Sequence, residues 1–154
     1  MTSYLSLTAV PKIARILGFA GLVPFLIGGF GVWLPALGDL RFALPIMVLA
    51  YGALIASFLG GVRWGASMQN GETDSHPHHM VLAIMPTLIA LVAFMLPLPQ
   101  AFMLLIVLFI ALGVLDFLAV EADTLKAWYR PLRIWLTLGA ALSMASLLTH
   151  TLTH

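Results

Sequence analysis

The chain has 154 residues, of which 62% are hydrophobic and only 8% charged. A soluble domain carries roughly 25% charged residues, so a chain this poor in charge cannot cover itself in water and must present its surface to lipid. A net charge of +1 excludes a basic field for nucleic acid, and the absence of cysteine excludes disulfides, thiolate metal sites and a cysteine nucleophile.

A membrane-spanning helix needs about 20 mostly apolar residues. Five stretches have that length: about 13–34, 43–66, 79–98, 101–121 and 131–150. They predict an all-α, polytopic membrane helix bundle, with residues 1–154 forming one integral membrane domain. The first stretch follows Lys12 and Arg15. It is too long for a signal-peptide core of roughly 7–15 residues and reads as a retained span. The dozen residues before it are too short for an ordinary mitochondrial transit peptide, so a bacterial inner membrane is the simplest location. This span is rich in glycine (Gly18, Gly21, Gly28, Gly29, Gly31) and carries Pro24 in its middle.

The second span holds a ladder of small residues. Ala53, Ser57, Gly61 and Gly65 recur every fourth residue, beside a parallel row of Gly52, Ala56 and Gly60. Four-residue spacing lines each row along one side of a helix. Gly61 and Gly65 form a GxxxG pattern that admits a close neighbour. The expected use is helix packing, with the first span as partner; a thin wall against a flat ligand is the alternative.

A polar loop, "QNGETDSHPHH" (69–79), leads into the third span, which contains Pro86. His76, His78 and His79, with Glu72 and Asp74, are metal-ligand types, but their spacing matches no closed metal-site pattern, and no metal is expected. Only "LPLPQ" (96–100) separates the third and fourth spans, which predicts a tight antiparallel hairpin.

The fourth span contains Asp116, a carboxylate that must face protein, water or a cation at that depth. At about 1.5 Å per residue, Arg63 lies roughly 3 Å and Asp116 roughly 6 Å inside the boundary. Arg63 either meets Asp116 or reaches the lipid headgroups, and Arg133, which follows Pro131 in the fifth span, competes for Asp116, with Glu121, Asp123, Lys126 and Arg130 around them. The network Arg63, Asp116, Glu121, Arg133 reads either as salt bridges that fix helix register or as a proton- or ion-handling site. At the other end, His150 and His154 read as a frayed terminus.

Five spans put the termini on opposite sides. With the N-terminus cytoplasmic and the C-terminus periplasmic, Lys12, Arg15, Arg63, Lys126, Arg130 and Arg133 gather on the inner face and only Arg41 lies outside, as the cytoplasmic preference of Lys and Arg requires. Trp33 then sits at the outer boundary, and Trp64, Trp128 and Tyr129 sit at the inner one as interface anchors. No GxSxG, HExxH, P-loop or dinucleotide glycine pattern is present, so no enzymatic activity, catalytic residue or cofactor is expected.

Four stretches together resemble a known family: "LGFAGLVPFLIGGFGVWLP" (17–35), "YGALIASFLGGVRWG" (51–65), "MPTLIALVAFMLP" (85–97) and "WYRPLRIWLTLGAALS" (128–143). In that order they resemble the small polytopic membrane family catalogued as domain of unknown function 3429. The most specific parts are "SFLGGVRWG" and the pattern supplied by Trp128, Tyr129, Leu132, Arg133, Leu136 and Thr137. The resemblance implies an inner-membrane helical protein, found in bacteria and, in a longer form, in mitochondria. It implies no activity. The expectation is a non-enzymatic inner-membrane protein, an accessory or assembly component beside a larger energy-transducing complex, touching membrane lipid and other membrane proteins or itself. The alternatives are a small homo-oligomeric transporter or channel, and a binder of lipid, quinone or pigment.

Overall fold

The computed structural model describes residues 6–69, 77–121 and 125–153. Among these the chain forms five α-helices and no strand: α1 (Lys12–Gly31), α2 (Leu40–Gln69), α3 (Pro77–Ala93), α4 (Leu98–Glu121) and α5 (Tyr129–Thr153). Four of them, all but α3, are long and apolar enough to cross a membrane. Most of their outward residues are large and apolar, such as Leu54, Phe58, Val107 and Leu142. That surface suits lipid and not water.

The boundaries differ from the sequence reading where turn chemistry decides them. A 3₁₀ turn at Pro35–Leu37 and Gly38, at φ 52°, end the link from α1. The left-handed backbone at Gly38 costs glycine little, and it lets α2 begin at Leu40 instead of 43. The third helix stops at Ala93 instead of 98. Phe94, Met95 and Leu96 donate to the carbonyls of Leu91, Val92 and Ala93, tightening the last turn. Pro97 then ends the turn, so the hairpin bend lies at 94–97 and not at 96–100. Pro99 is tolerated in the first turn of α4, where its missing N–H has no helical partner anyway. At 17 residues, α3 is about 26 Å long.

Helix α4 carries the core. Phe102, Leu105, Phe109 and Leu112 follow one another at spacings of three and four and are almost wholly buried, the pattern of a single inward stripe. Phe25 of α1 meets Phe109 and Tyr51 edge-on, with centroids 5.7 and 5.2 Å apart. The Tyr51 hydroxyl donates to the Gly21 carbonyl at 2.8 Å, joining α2 to α1.

Small residues set the closest helix approaches. A Cβ added at Gly29 would lie 2.9 Å from Ser143 Cα, so α1 and α5 touch there almost backbone to backbone. Ser146 Oγ donates to the Gly29 carbonyl at 2.7 Å and accepts from Trp33 Nε1 at 2.8 Å. Trp33 also stands edge-on to His150, 5.1 Å away. His150 is thus a buried residue inside α5, where the sequence reading expected a frayed end; the cover of Trp33 keeps the last turns in place. His154 lies outside the described residues.

The ladder on α2 divides differently from expectation. A Cβ at Gly60 would fall 2.2 Å from the Ala83 carbonyl oxygen, so this glycine seats α3, and Thr87 donates to Ser57 Oγ at 3.0 Å in the same interface. Ala53 packs against the core. A Cβ added at Gly61 or Gly65 would meet nothing within 4 Å among the described residues. The close partner of Ser57 and Gly60 is therefore α3, while α1 meets α2 further along, where Gly28 makes room for Val48.

These contacts predict opposite effects for adjacent glycines. Gly60→Ala drives a methyl into a backbone carbonyl and should lower stability by about 1–3 kcal/mol. Gly61→Ala should be neutral or raise stability by up to about 1 kcal/mol through helix propensity. Thermal unfolding of the two variants in mild detergent checks the contrast.

Candidate functional site: a buried charge cluster

Asp116 occupies the next position on the inward stripe of α4, four residues after Leu112, and is 3% exposed. Arg63 lies on the inward side of α2, three residues after Gly60 and seven after Ala56, both buried. Arg133 lies seven residues before the buried Ala140 on α5. Pro131 stands in the first turn of α5, where no N–H is needed, and this start places Arg133 just over one turn into the helix. Three helices thus bring one acidic and two basic side chains to the same end of the bundle.

The two arginines take separate oxygens of one carboxylate. Arg133 Nε donates to Asp116 Oδ2 at 2.8 Å, and Arg63 Nε donates to Oδ1 at 3.0 Å. Arg63 Nη2 also sits 2.9 Å from Oδ1, an ion-pair distance whose angles miss hydrogen-bond geometry. A guanidinium only donates, so both oxygens act as acceptors, an arrangement that suits the carboxylate anion. The side chains are 14% exposed at Arg63 and 5% at Arg133. The choice of partner for Asp116 therefore resolves as both at once.

Glu121 is not part of this triad. It pairs with Arg130 at the rim, with its own side chain 54% exposed, and a pair so wet contributes little to stability. Arg130 also lies over the Phe117 ring, 4.4 Å from its centroid. The expected network thus separates into a buried triad and a rim pair. Asp123 lies outside the described residues.

Two apolar hollows adjoin the triad. One, of about 310 Å³, runs between α1, α2, α4 and α5 and is walled by Gly18, Gly21, Phe25, Trp128, Tyr129 and Arg133 among others. The other, of about 420 Å³, lies along α4 and α5 and includes Gly113, Arg133 and Thr137. Trp128 and Tyr129 meet edge-on at 6.0 Å and wall the first hollow; Trp64 is partly exposed on the outer side of α2. Sequence reasoning passed over both hollows and the seam between α1 and α5. The seam had a signal: Gly18, Leu22 and Gly29 on α1 face Leu132, Leu136, Gly139 and Ser143 on α5, both sets at spacings of three and four or their sum. The hollows had none, because a void depends on the relative placement of the helices that wall it.

For metal binding, Glu72, Asp74 and His76, and the side chains of His78 and His79, lie outside what the structure describes. Among the described residues no three His, Cys, Asp or Glu side chains gather into a metal site.

Residues 10–149 match the family described as Protein of unknown function (DUF3429). The chain is also similar to Transmembrane protein 69 of Xenopus tropicalis, with 32% identity over 155 residues, which take in 95% of this chain and 57% of that protein. The chain thus spans little more than half the length of this curated relative. No solved structure matches it.

The triad predicts strong coupling. Asp116→Ala leaves two buried guanidinium groups without their acceptor and should cost about 3–5 kcal/mol. In a double-mutant cycle of Arg63→Ala and Asp116→Asn, unfolding free energies should depart from additivity by about 0.5–3 kcal/mol. Arg133→Ala should cost more than Arg63→Ala, because Arg133 is the more buried of the two.

Proposed function

The chain belongs to the DUF3429 family, and on that premise we propose that it is a non-enzymatic, multi-pass protein of the bacterial inner membrane that serves as a small accessory or assembly component beside a larger energy-transducing complex. The observation that carries this reading is the outward face of α2 at Gly61 and Gly65. The pattern for close helix approach is there, yet among the described residues nothing covers it. Trp64 lies on the same stretch, partly exposed. The side chains with chemical potential support the same reading: both oxygens of Asp116 accept from arginine, and two guanidinium charges beside it oppose the approach of a further cation. That weakens the case for a cation path through this carboxylate. The distribution of Lys and Arg favours a cytoplasmic N-terminus and a periplasmic C-terminus.

Cross-linking in the native membrane, followed by gentle detergent extraction and mass spectrometry, tests the proposal. The wild type should carry a specific membrane-protein partner, and Gly61→Leu with Gly65→Leu should lose it while melting at no lower a temperature. Recovery of the wild type only as a free protein or homo-oligomer counts against the reading.

A further inference from the structure

We propose that the hollow between α1, α2, α4 and α5 binds a neutral lipophile whose ring carries a carbonyl acceptor, a molecule of the isoprenoid-quinone class. The ring lies inside and the tail leaves between α1 and α2. The proposal is independent of any docking at Gly61 and Gly65.

The walls select a ring. Phe25, Phe58, Phe109, Trp128 and Tyr129 surround a space of about 310 Å³, and aromatic faces and edges pack well on another flat ring. A cavity of about 150 Å³ accepts benzene, so this one has room for a substituted ring and the start of a tail. Gly18 and Gly21 leave the α1 side thin: a Cβ at Gly21 would meet only the Tyr51 hydroxyl, at 3.6 Å. Leu17 of α1 and Phe58 of α2 also wall the hollow and are 64% and 66% exposed. The space therefore opens sideways between these helices, and its occupant arrives from the acyl region of the bilayer.

The polar groups of the wall select a neutral acceptor. Trp128, Tyr129 and Arg133 are the polar side chains that line the hollow, and no carboxylate joins them. Indole and guanidinium groups only donate, and a phenol can donate, so the occupant must bring the acceptor. Trp128 and Tyr129 meet edge-on at 6.0 Å, but neither makes a side-chain hydrogen bond among the described residues. Their polar atoms are not among the unpartnered ones sealed inside the protein, so they are open to a ligand. Arg133 differs: its Nε is engaged by Asp116 and the residue is only 5% exposed. An anion in so apolar a space would lose its water with too few partners in return. A carbonyl costs less to bury and needs one good donor, and the Tyr129 hydroxyl supplies it.

Photolabelling of the whole protein in lipid nanodiscs, with an azido-benzoquinone bearing one isoprene unit, tests the site. In the wild type the label should fall on α1 and on residues 128–140. The parent quinone should suppress it at concentrations about tenfold lower than a fatty-acid methyl ester of equal carbon number. Tyr129→Phe keeps the ring and removes the hydroxyl, and should raise the quinone concentration for half suppression about three- to tenfold, the effect of one hydrogen bond. Gly21→Leu should fill the hollow and abolish the specific label. If Gly21→Leu does not fold, Tyr129→Phe and the ester comparison decide the matter. Label spread over the lipid-facing helices without competition, unchanged half suppression in Tyr129→Phe, or equal suppression by the ester, which would identify an ordinary acyl chain as the occupant, each overturns the proposal.

Discussion

A single carboxylate shared by two guanidinium groups holds one end of this bundle together. Asp116 stands where the stripe of α4 calls for another leucine or phenylalanine, and a lone carboxylate there would oppose folding. Arg63 and Arg133 remove that opposition only when α2, α4 and α5 sit in one register, because each arginine reaches a different oxygen. Replacing such a group by apolar residues is often neutral or stabilising, so the triad is better understood as a device of specificity than of raw stability. It penalises every arrangement in which one helix has slipped.

Away from the charges, the bundle relies on missing side chains. Gly60 admits a carbonyl of α3, and Gly29 admits the backbone of α5. In lipid no hydrophobic force distinguishes one helix partner from another, so close van der Waals contact and buried hydrogen bonds do that work. The pairs Thr87–Ser57 and Trp33–Ser146 sit beside these close approaches and fix their depth. At one end the helices are held by ions, at the other by neutral hydrogen bonds on a tryptophan.

Much of this was legible in the residues. Five apolar stretches and the membrane setting follow from composition alone, and depth puts Arg63 and Arg133 within reach of Asp116 while leaving open which of them it meets. The division of the α2 ladder was not legible. Gly60 and Gly61 are adjacent glycines with the same local pattern, and only the position of α3 decides which one is covered. The end of α3 was misplaced because hydropathy continues through Phe94 and Leu96, while the backbone already tightens ahead of Pro97.

The seam between α1 and α5 has a consequence for biosynthesis. Ser146 and Gly29 are 117 residues apart, and Arg63 precedes Asp116 by 53. As the chain enters the membrane in order, Trp33 and the bare backbone of Gly29 must wait for α5 to arrive, and Arg63 must wait for α4. Until then these groups depend on lipid headgroups, water or the insertion machinery for their partners. Helix α1 already packs on α2 through Tyr51 and Val48, and α5 acts as the closing element that covers its other face and converts a set of inserted helices into a bundle.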